Sequence, residues 1–266
     1  MGLSKTKTQL VERIRNPRFR AREGAFLVEG IRGVGETLQA TLPLESRFAV
    51  VSPRLGESDD GRSLAEQLGS APFPVEEVED AELAALSDTE RHQGVMLVVS
   101  EPGTGWETLD GPPSPRVLLL DGIQDPGNVG TLIRAARAFG LDGVVALKGT
   151  VDPWNPKVVR ASAGSHAHTP ILRASVPEAL AWLEERKIPL WLADARGEDV
   201  RDGAPNRPWA LAVGNEGAGP RKEIMERSVR TLAIPMAPGV DSLNAGTAGA
   251  ILLFALCGPT SEREGI

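Results

Sequence analysis

From residue 116 onward the chain alternates short, almost wholly apolar runs with helix-patterned stretches, and this alternation restricts the fold more than any other feature. RVLLLD (116–121), DGVVALK (142–148), IPLWLAD (188–194), WALAVG (209–214) and VRTLAIP (229–235) read as strands. A strand that is apolar on both faces must be covered on both faces, as in parallel sheets. Between these strands lie NVGTLIRAARAFG (128–140), ended by Gly140, and VPEALAWLEERK (176–187), with Pro177 in its first turn. PRKEIMERS (220–228) and SLNAGTAGAILLFAL (242–256) complete the set of helices. The pattern predicts an α/β domain over residues 116–266, with a parallel sheet flanked by helices.

Residues 101–115, EPGTGWETLDGPPSP, hold four Pro and three Gly and read as a linker. Residues 1–100 read as a smaller α/β domain. KTQLVERIRN (7–16), IRGVGETLQA (31–40), SLAEQLGS (63–70) and AELAALSD (81–88) are spaced as helices. GAFLVEG (24–30), RFAVVS (47–52) and GVMLVVS (94–100) read as strands.

A formal net charge of -7 argues at first against a nucleic-acid partner. The average hides a gradient, because residues 1–35 carry eight Lys/Arg against three Glu, while the excess acid falls in residues 36–112. A basic arm of this kind reads as a face for an anionic partner. The single cysteine, Cys257, excludes an intrachain disulfide and sits in an apolar run, as a small buried hydrophobe would. No run approaches the roughly 20 apolar residues of a membrane span, and the N-terminus lacks the apolar core of a signal peptide. The expectation is a soluble, cytoplasmic protein. His92, His166 and His168 lack zinc spacing, so no metal site is expected.

Ligands of parallel α/β sheets collect in the loops leaving the carboxyl ends of strands. Three such loops are rich in glycine and polar residues: DGIQDPGNVGTLIR (121–134), GNEGAGP (214–220) and IPMAPGVDSLNAGTAGA (234–250). They are neither a Walker loop nor a dinucleotide fingerprint, since no Lys-Ser/Thr follows the glycines and their order is G-x-x-G-x-G. Backbone-rich loops suit a flat, polar, largely uncharged ligand such as adenosine. Asn128 reads as the cap of the helix that carries Arg134, and Asp241 or Ser242 as the cap of the last helix. The small residues Ala245, Gly246, Ala248, Gly249 and Ala250 read as a close helix contact or a dimer interface.

NVGTLIRAARAFG, AVGNEGAG (212–219) and IPMAPGVDSLNAGTAGAILLF (234–254) resemble, in order, the three motifs of the SpoU/TrmH family of RNA methyltransferases. NPRFRAREGAFLVEGIRGVGETL (16–38) and RHQGVMLVV (91–99) are similar to the substrate-binding domain of its ribosomal-RNA members. The resemblance implies S-adenosyl-L-methionine as cofactor and a ribose 2′-hydroxyl of RNA, foremost 23S ribosomal RNA, as acceptor. Transfer RNA is the second substrate, and a non-catalytic knotted RNA-binding protein the reading of another class. A trefoil-knotted catalytic domain and a homodimer are also implied. Carried residue by residue, the family pattern places the cofactor at Gly214, Ile234 and Leu243. Asn128, Arg134, Glu216, Ser242 and Asn244 match its active-site positions. The family's usual candidate for the base falls on Arg134. The alternative preferred on chemical grounds is that Arg134 clamps a phosphate and stabilises the alkoxide with Asn128 orienting it, while Glu216 orders its own turn.

Overall fold

A computed structural model describes residues 2–89, 91–111, 113–202, 208–239 and 242–257. The chain forms two compact units, one of Met1–Gly103 with Asp152–His168, the other of Thr104–Val151 with Thr169–Ile266.

The first unit contains α1 (Lys5–Arg15), α2 (Pro17–Glu23), β1 (Ala25–Glu29), α3 (Ile31–Leu38), β2 (Ser46–Val51), α4 (Asp59–Gly69), β3 (Val75–Glu77), α5 (Asp80–Leu86) and β4 (Val95–Ser100). Its sheet runs β1-β4-β2-β3, antiparallel except for the β2–β3 pair. Val11 and Ile14 on α1 pack with Leu27, Val50, Leu83 and Met96 in one core. The Asn16 side chain caps α2 ahead of Pro17, and Gly24 (φ 55°) turns the chain left-handed into β1. The sequence pattern missed α2 and β3, both too short to show a period.

The basic arm is only partly available to a partner. Four of its charges are spent inside the chain: Lys7 on Glu76, Arg13 on Glu23, Arg15 on Asp88 and Arg20 on Asp152. Arg20 is wholly buried. Lys5, Arg18, Arg22 and Arg32 remain exposed.

The second unit holds β5 (Arg116–Asp121), α6 (Pro126–Ala138) and β6 (Gly143–Leu147). The short helix α7 (Pro156–Ala161) follows in the chain but belongs to the first unit. The second unit resumes with β7 (Ile171–Ala174), α8 (Val176–Glu185), β8 (Leu190–Asp199), β9 (Trp209–Gly214), α9 (Lys222–Arg227), β10 (Arg230–Ala233) and α10 (Ala245–Cys257). The six strands are all parallel in the order β10-β8-β9-β5-β6-β7, as the apolar runs predicted. Their carboxyl ends, and hence the three glycine-rich loops, emerge at one edge.

Local chemistry differs from the sequence reading at several points. Asp125, followed by Pro126, caps α6, and its Oδ1 accepts from Asn128 N at 2.8 Å, so Asn128 lies inside the first turn. Asn244 Oδ1 accepts from Thr247 N at 3.1 Å where α10 begins. Ser242 therefore lies ahead of the cap, and Asp241 falls outside the described residues. The small residues of α10 serve the chain itself, because Gly246 meets Asn128 and Gly249 meets Leu132 of α6. Cys257 is half-buried rather than buried.

The stretch read as linker is structured beyond residue 103. Leu109 is fully buried, Trp106 stacks on Trp182 at 5.1 Å, and Asp110 accepts from Trp182 Nε1 (3.0 Å) and Arg186 Nε (2.8 Å). Asp152–His168, which the sequence pattern left within the catalytic half, completes the first unit instead. Trp154 packs on Phe26 with centroids 4.6 Å apart, and Asp152 Oδ2 accepts from Arg20 Nε at 2.7 Å. The buried His166 ring lies between the hydroxyls of Ser162 (3.1 Å) and Thr37 (3.3 Å). Periodicity is a local signal and does not say which core an apolar segment will join.

Candidate functional site

A cavity of about 280 Å³ opens where β9 and β10 end and β8 leaves its pairing with β9 after Ala193. Its walls come from residues 193–195 of β8, the turn after β9, residues 232–236, and the segment entering α10. Gly214, Ile234 and Leu243 all line it, as do Glu216, Ser242 and Asn244. Asn128 stands just behind, its Nδ2 donating to Glu216 Oε1 at 2.7 Å. Seven of the eight residues singled out in the sequence are thus brought together from three separate loops.

Arg134 is the exception. It is exposed on α6, does not line the cavity, and makes no side-chain hydrogen bond or ion pair among the described residues. Six helical residues beyond Asn128, it points about 120° away around the helix axis. Asn128 therefore orients Glu216, not Arg134.

The turn itself is ordered by Asn215, which sequence reasoning passed over. Asn215 Oδ1 accepts from Gly217 N (2.9 Å) and Ala218 N (2.8 Å), while its Nδ2 donates to Gly122 O at 2.7 Å. Glu216, expected to do this, is left free to face the cavity and Asn128. Gly214 is required for a steric reason, since a Cβ there would stand 2.7 Å from Pro220 N. Beneath the turn, buried Asp121 accepts from Arg221 N at 2.8 Å and pairs with its guanidinium at 3.2 Å. An acidic residue ending a buried strand, with an arginine after the glycine turn, was the legible sign of this brace.

Asp194 is a further cavity residue the sequence did not single out. Both its oxygens accept from the Arg196 guanidinium at 3.0 Å, which holds its carboxyl below the ordinary value and keeps it anionic. Among the described residues no group of three His, Cys, Asp or Glu is placed to hold a metal. Apolar walls, exposed backbone and two carboxylates can hold a flat heterocycle and position polar or cationic substituents.

Comparison with known proteins agrees with this geometry. Residues 115–254 match the SpoU rRNA Methylase family, and residues 5–97 match the MRM3-like substrate binding domain. The chain is 32% identical over 253 residues to the 23S rRNA (guanosine(2553)-2′-O)-methyltransferase RlmP of Bacillus subtilis, covering 93% of this chain and 94% of that protein. It is 28% identical over 292 residues to the human mitochondrial rRNA methyltransferase 3, covering 89% of this chain and 68% of that one. The SpoU methyltransferase AviRb of Streptomyces viridochromogenes, solved with the cofactor AdoMet, superposes with a TM-score of 0.85 at 27% identity, over 96% of this chain and 97% of its own. With its family motifs gathered on one cavity, the chain belongs to the SpoU rRNA methylase family.

Proposed function

We propose that this protein transfers a methyl group from S-adenosylmethionine to a ribose 2′-hydroxyl of 23S ribosomal RNA. The observation that carries the reading is the convergence of three loops on one backbone-rich cavity with the Asn128–Glu216 pair at its edge. The activities named for RlmP and AviRb support it, and the MRM3-like match over residues 5–97 favours ribosomal over transfer RNA.

The cavity fits the cofactor by its chemistry. The Ile234 and Leu243 side chains and the Gly214 backbone would hold the adenosine, and the Asp194 carboxylate suits a cationic or hydroxyl-bearing substituent. When bound, the cofactor supplies an electrophilic methyl group. The chain's task is to hold the ribose oxygen in line with that methyl and to exclude water. Glu216, fixed by Asn128, accepts a hydrogen bond from the incoming ribose or a neighbouring N–H. Ser242 and Asn244 line the same mouth and orient the sugar. Arg134 serves as a clamp on the adjacent phosphate and stabilises negative charge developing on the ribose oxygen. A guanidinium holds its proton too tightly to serve as the base.

Arg134 does not line its own chain's cavity, and a homodimer resolves this. Ile251 and Phe254 are exposed on α10, and Phe254 lies 5.8 Å from the Phe139 ring at the end of α6. We place the subunit interface on this face, so that Arg134 of each subunit serves the other's cavity. The trefoil knot belongs to the same reading. It is supported by α10 folding back onto α6 after the last strand, and the chain trace of an experimental structure tests it. A cytoplasmic location follows from the proposed substrate, and fractionation checks it.

The deciding experiment supplies labelled S-adenosylmethionine to separate ribosomal and transfer RNA fractions and maps the modified nucleotide. Label in 23S RNA is expected. Label in transfer RNA alone moves the substrate, and no cofactor binding by calorimetry leaves a non-catalytic RNA-binding protein.

A further inference from the structure

A second cavity, also about 280 Å³, lies within the first unit and takes no part in the site above. It opens at the amino end of α3, where Gly30 is the N-cap and Gln93 Oε1 accepts from Ile31 N at 3.0 Å. Arg32 comes from α3, Arg91 from the segment before β4, and Arg160 from α7. All three are exposed, and none has a side-chain hydrogen bond or ion pair among the described residues. Three unpaired guanidinium groups from three separate elements converge here, whereas half of the basic residues in the N-terminal arm are neutralised by carboxylates. Such a cluster attracts phosphate, and the positive end of the α3 dipole, of whose first-turn N–H groups Gln93 Oε1 takes that of Ile31, adds to the potential.

Two other lining groups say what accompanies the phosphate. His92 is 8% exposed, and its Nδ1 accepts from Gly94 N at 3.3 Å, so in the neutral ring the proton sits on Nε2. Glu29 accepts from Ser87 Oγ through Oε2 at 2.5 Å, but its buried Oε1 has no hydrogen-bond partner among the described residues. A carboxylate repels a bare phosphate, and an orphaned acceptor calls for an N–H donor. A nucleobase edge supplies that donor, and guanine supplies two side by side.

We propose that this cavity receives one unpaired nucleotide of the RNA substrate, its neighbouring phosphates on Arg32, Arg91 and Arg160 and its base edge against Glu29 and His92. The assignment rests on the RNA-methyltransferase reading and locates where the first unit grips its RNA. Arg160 lies outside the 5–97 match, so the second half of the chain contributes to this grip.

The test uses the full chain, a fluorescent single-stranded RNA and a 23S transcript, with anisotropy measured across a salt series. Arg32→Ala with Arg160→Ala is expected to weaken RNA binding at least about tenfold and to flatten the slope of log affinity against log salt by about 0.7 for each phosphate no longer neutralised. Calorimetric affinity for S-adenosylmethionine and the thermal unfolding curve should not change, which shows that both units of the variant are folded. Arg160→Lys keeps the slope, because it keeps the charge. Glu29→Gln keeps the slope but alters the preference for guanine-bearing over uracil-only RNA. Unchanged RNA affinity and slope in the double variant, in protein that still binds cofactor, overturns the pocket. Inorganic phosphate displacing the RNA more effectively than chloride at equal ionic strength overturns the nucleotide in favour of a free-phosphate site. Wild-type protein that binds RNA at this cavity but transfers no methyl group overturns the methyltransferase reading and leaves the pocket standing.

Discussion

Gly249 is where α10 presses on α6, and replacing it with alanine sets two opposing effects against each other. A Cβ at this position would stand 2.3 Å from Leu132 Cδ2 and 3.4 Å from Val213 Cγ2. Carbon atoms rest about 3.5–4.0 Å apart, so the Leu132 methyl must retreat by about 1.2 Å or more. Leu132 has no exposed surface, and its retreat disturbs packed neighbours at a cost of about 1–3 kcal/mol. Alanine is also the better helix former by about 1 kcal/mol, which offsets part of that cost. Gly249→Ala alone should therefore destabilise by up to about 2 kcal/mol. Leu132→Ala alone removes a buried side chain and should cost about 2–5 kcal/mol. In the Leu132→Ala background the clash is gone, only the helix gain remains, and Gly249→Ala should become stabilising by about 1 kcal/mol. Equilibrium urea unfolding of the four proteins measures this reversal of sign. Equal effects of Gly249→Ala in both backgrounds refute the contact. If that substitution instead dissociates a dimer, the glycine face is the subunit interface after all.

Mixing inactive Arg134→Ala and Glu216→Ala proteins tests whether the arginine acts across subunits. Random reassortment restores about one quarter of wild-type turnover if it does, since half the dimers are mixed and each carries one intact site; no recovery places Arg134 in its own chain's site. Asp152→Ala should destabilise by about 3–5 kcal/mol in thermal or urea unfolding, because it strips the carboxylate from the buried Arg20 guanidinium. The Arg186 guanidinium, and then Trp182 Nε1, hold the Asp110 carboxyl below its ordinary value of 3.8. A lowered folded-state pKa gives stability that is present above the unfolded value and lost as pH falls through the folded one. Melting temperatures of wild type and Asp110→Asn should therefore differ at neutral pH and converge in strong acid; a gap that persists there means the charge is not the source.

Much of the catalytic half was legible because its strands are buried on both faces and say so in composition. β9 carries no charged residue and β5 only Arg116 and Asp121 at its two ends, and their shared direction forces the loops after them to one edge. Seven of the eight singled-out residues met there for that reason. Arg134 did not, because a helix position fixes direction as well as nearness, and six residues turn a side chain away. Asn128 was misread as a cap although Asp125 and Pro126 stood ready in the sequence as a better one. Asn215 was overlooked beside its acidic neighbour. Its role depends on a side-chain amide reaching Gly122, a contact between distant loops that no local pattern encodes. The charge gradient was real as arithmetic, but which arginines stay free depends on carboxylates far away in sequence, such as Asp152 for Arg20.

The return of Asp152–His168 to the first unit has a consequence for how the molecule is made. Phe26, Arg20 and Thr37 are synthesised more than a hundred residues before the Trp154, Asp152 and His166 that cover or pair with them. On the ribosome, the amino-terminal unit must wait with part of its core uncovered while β5, α6 and β6 emerge. Synthesis order and folding order therefore part company. A chain halted near residue 103 is an unfinished fold and a natural client for chaperones, and any fragment meant to stand alone must carry both stretches.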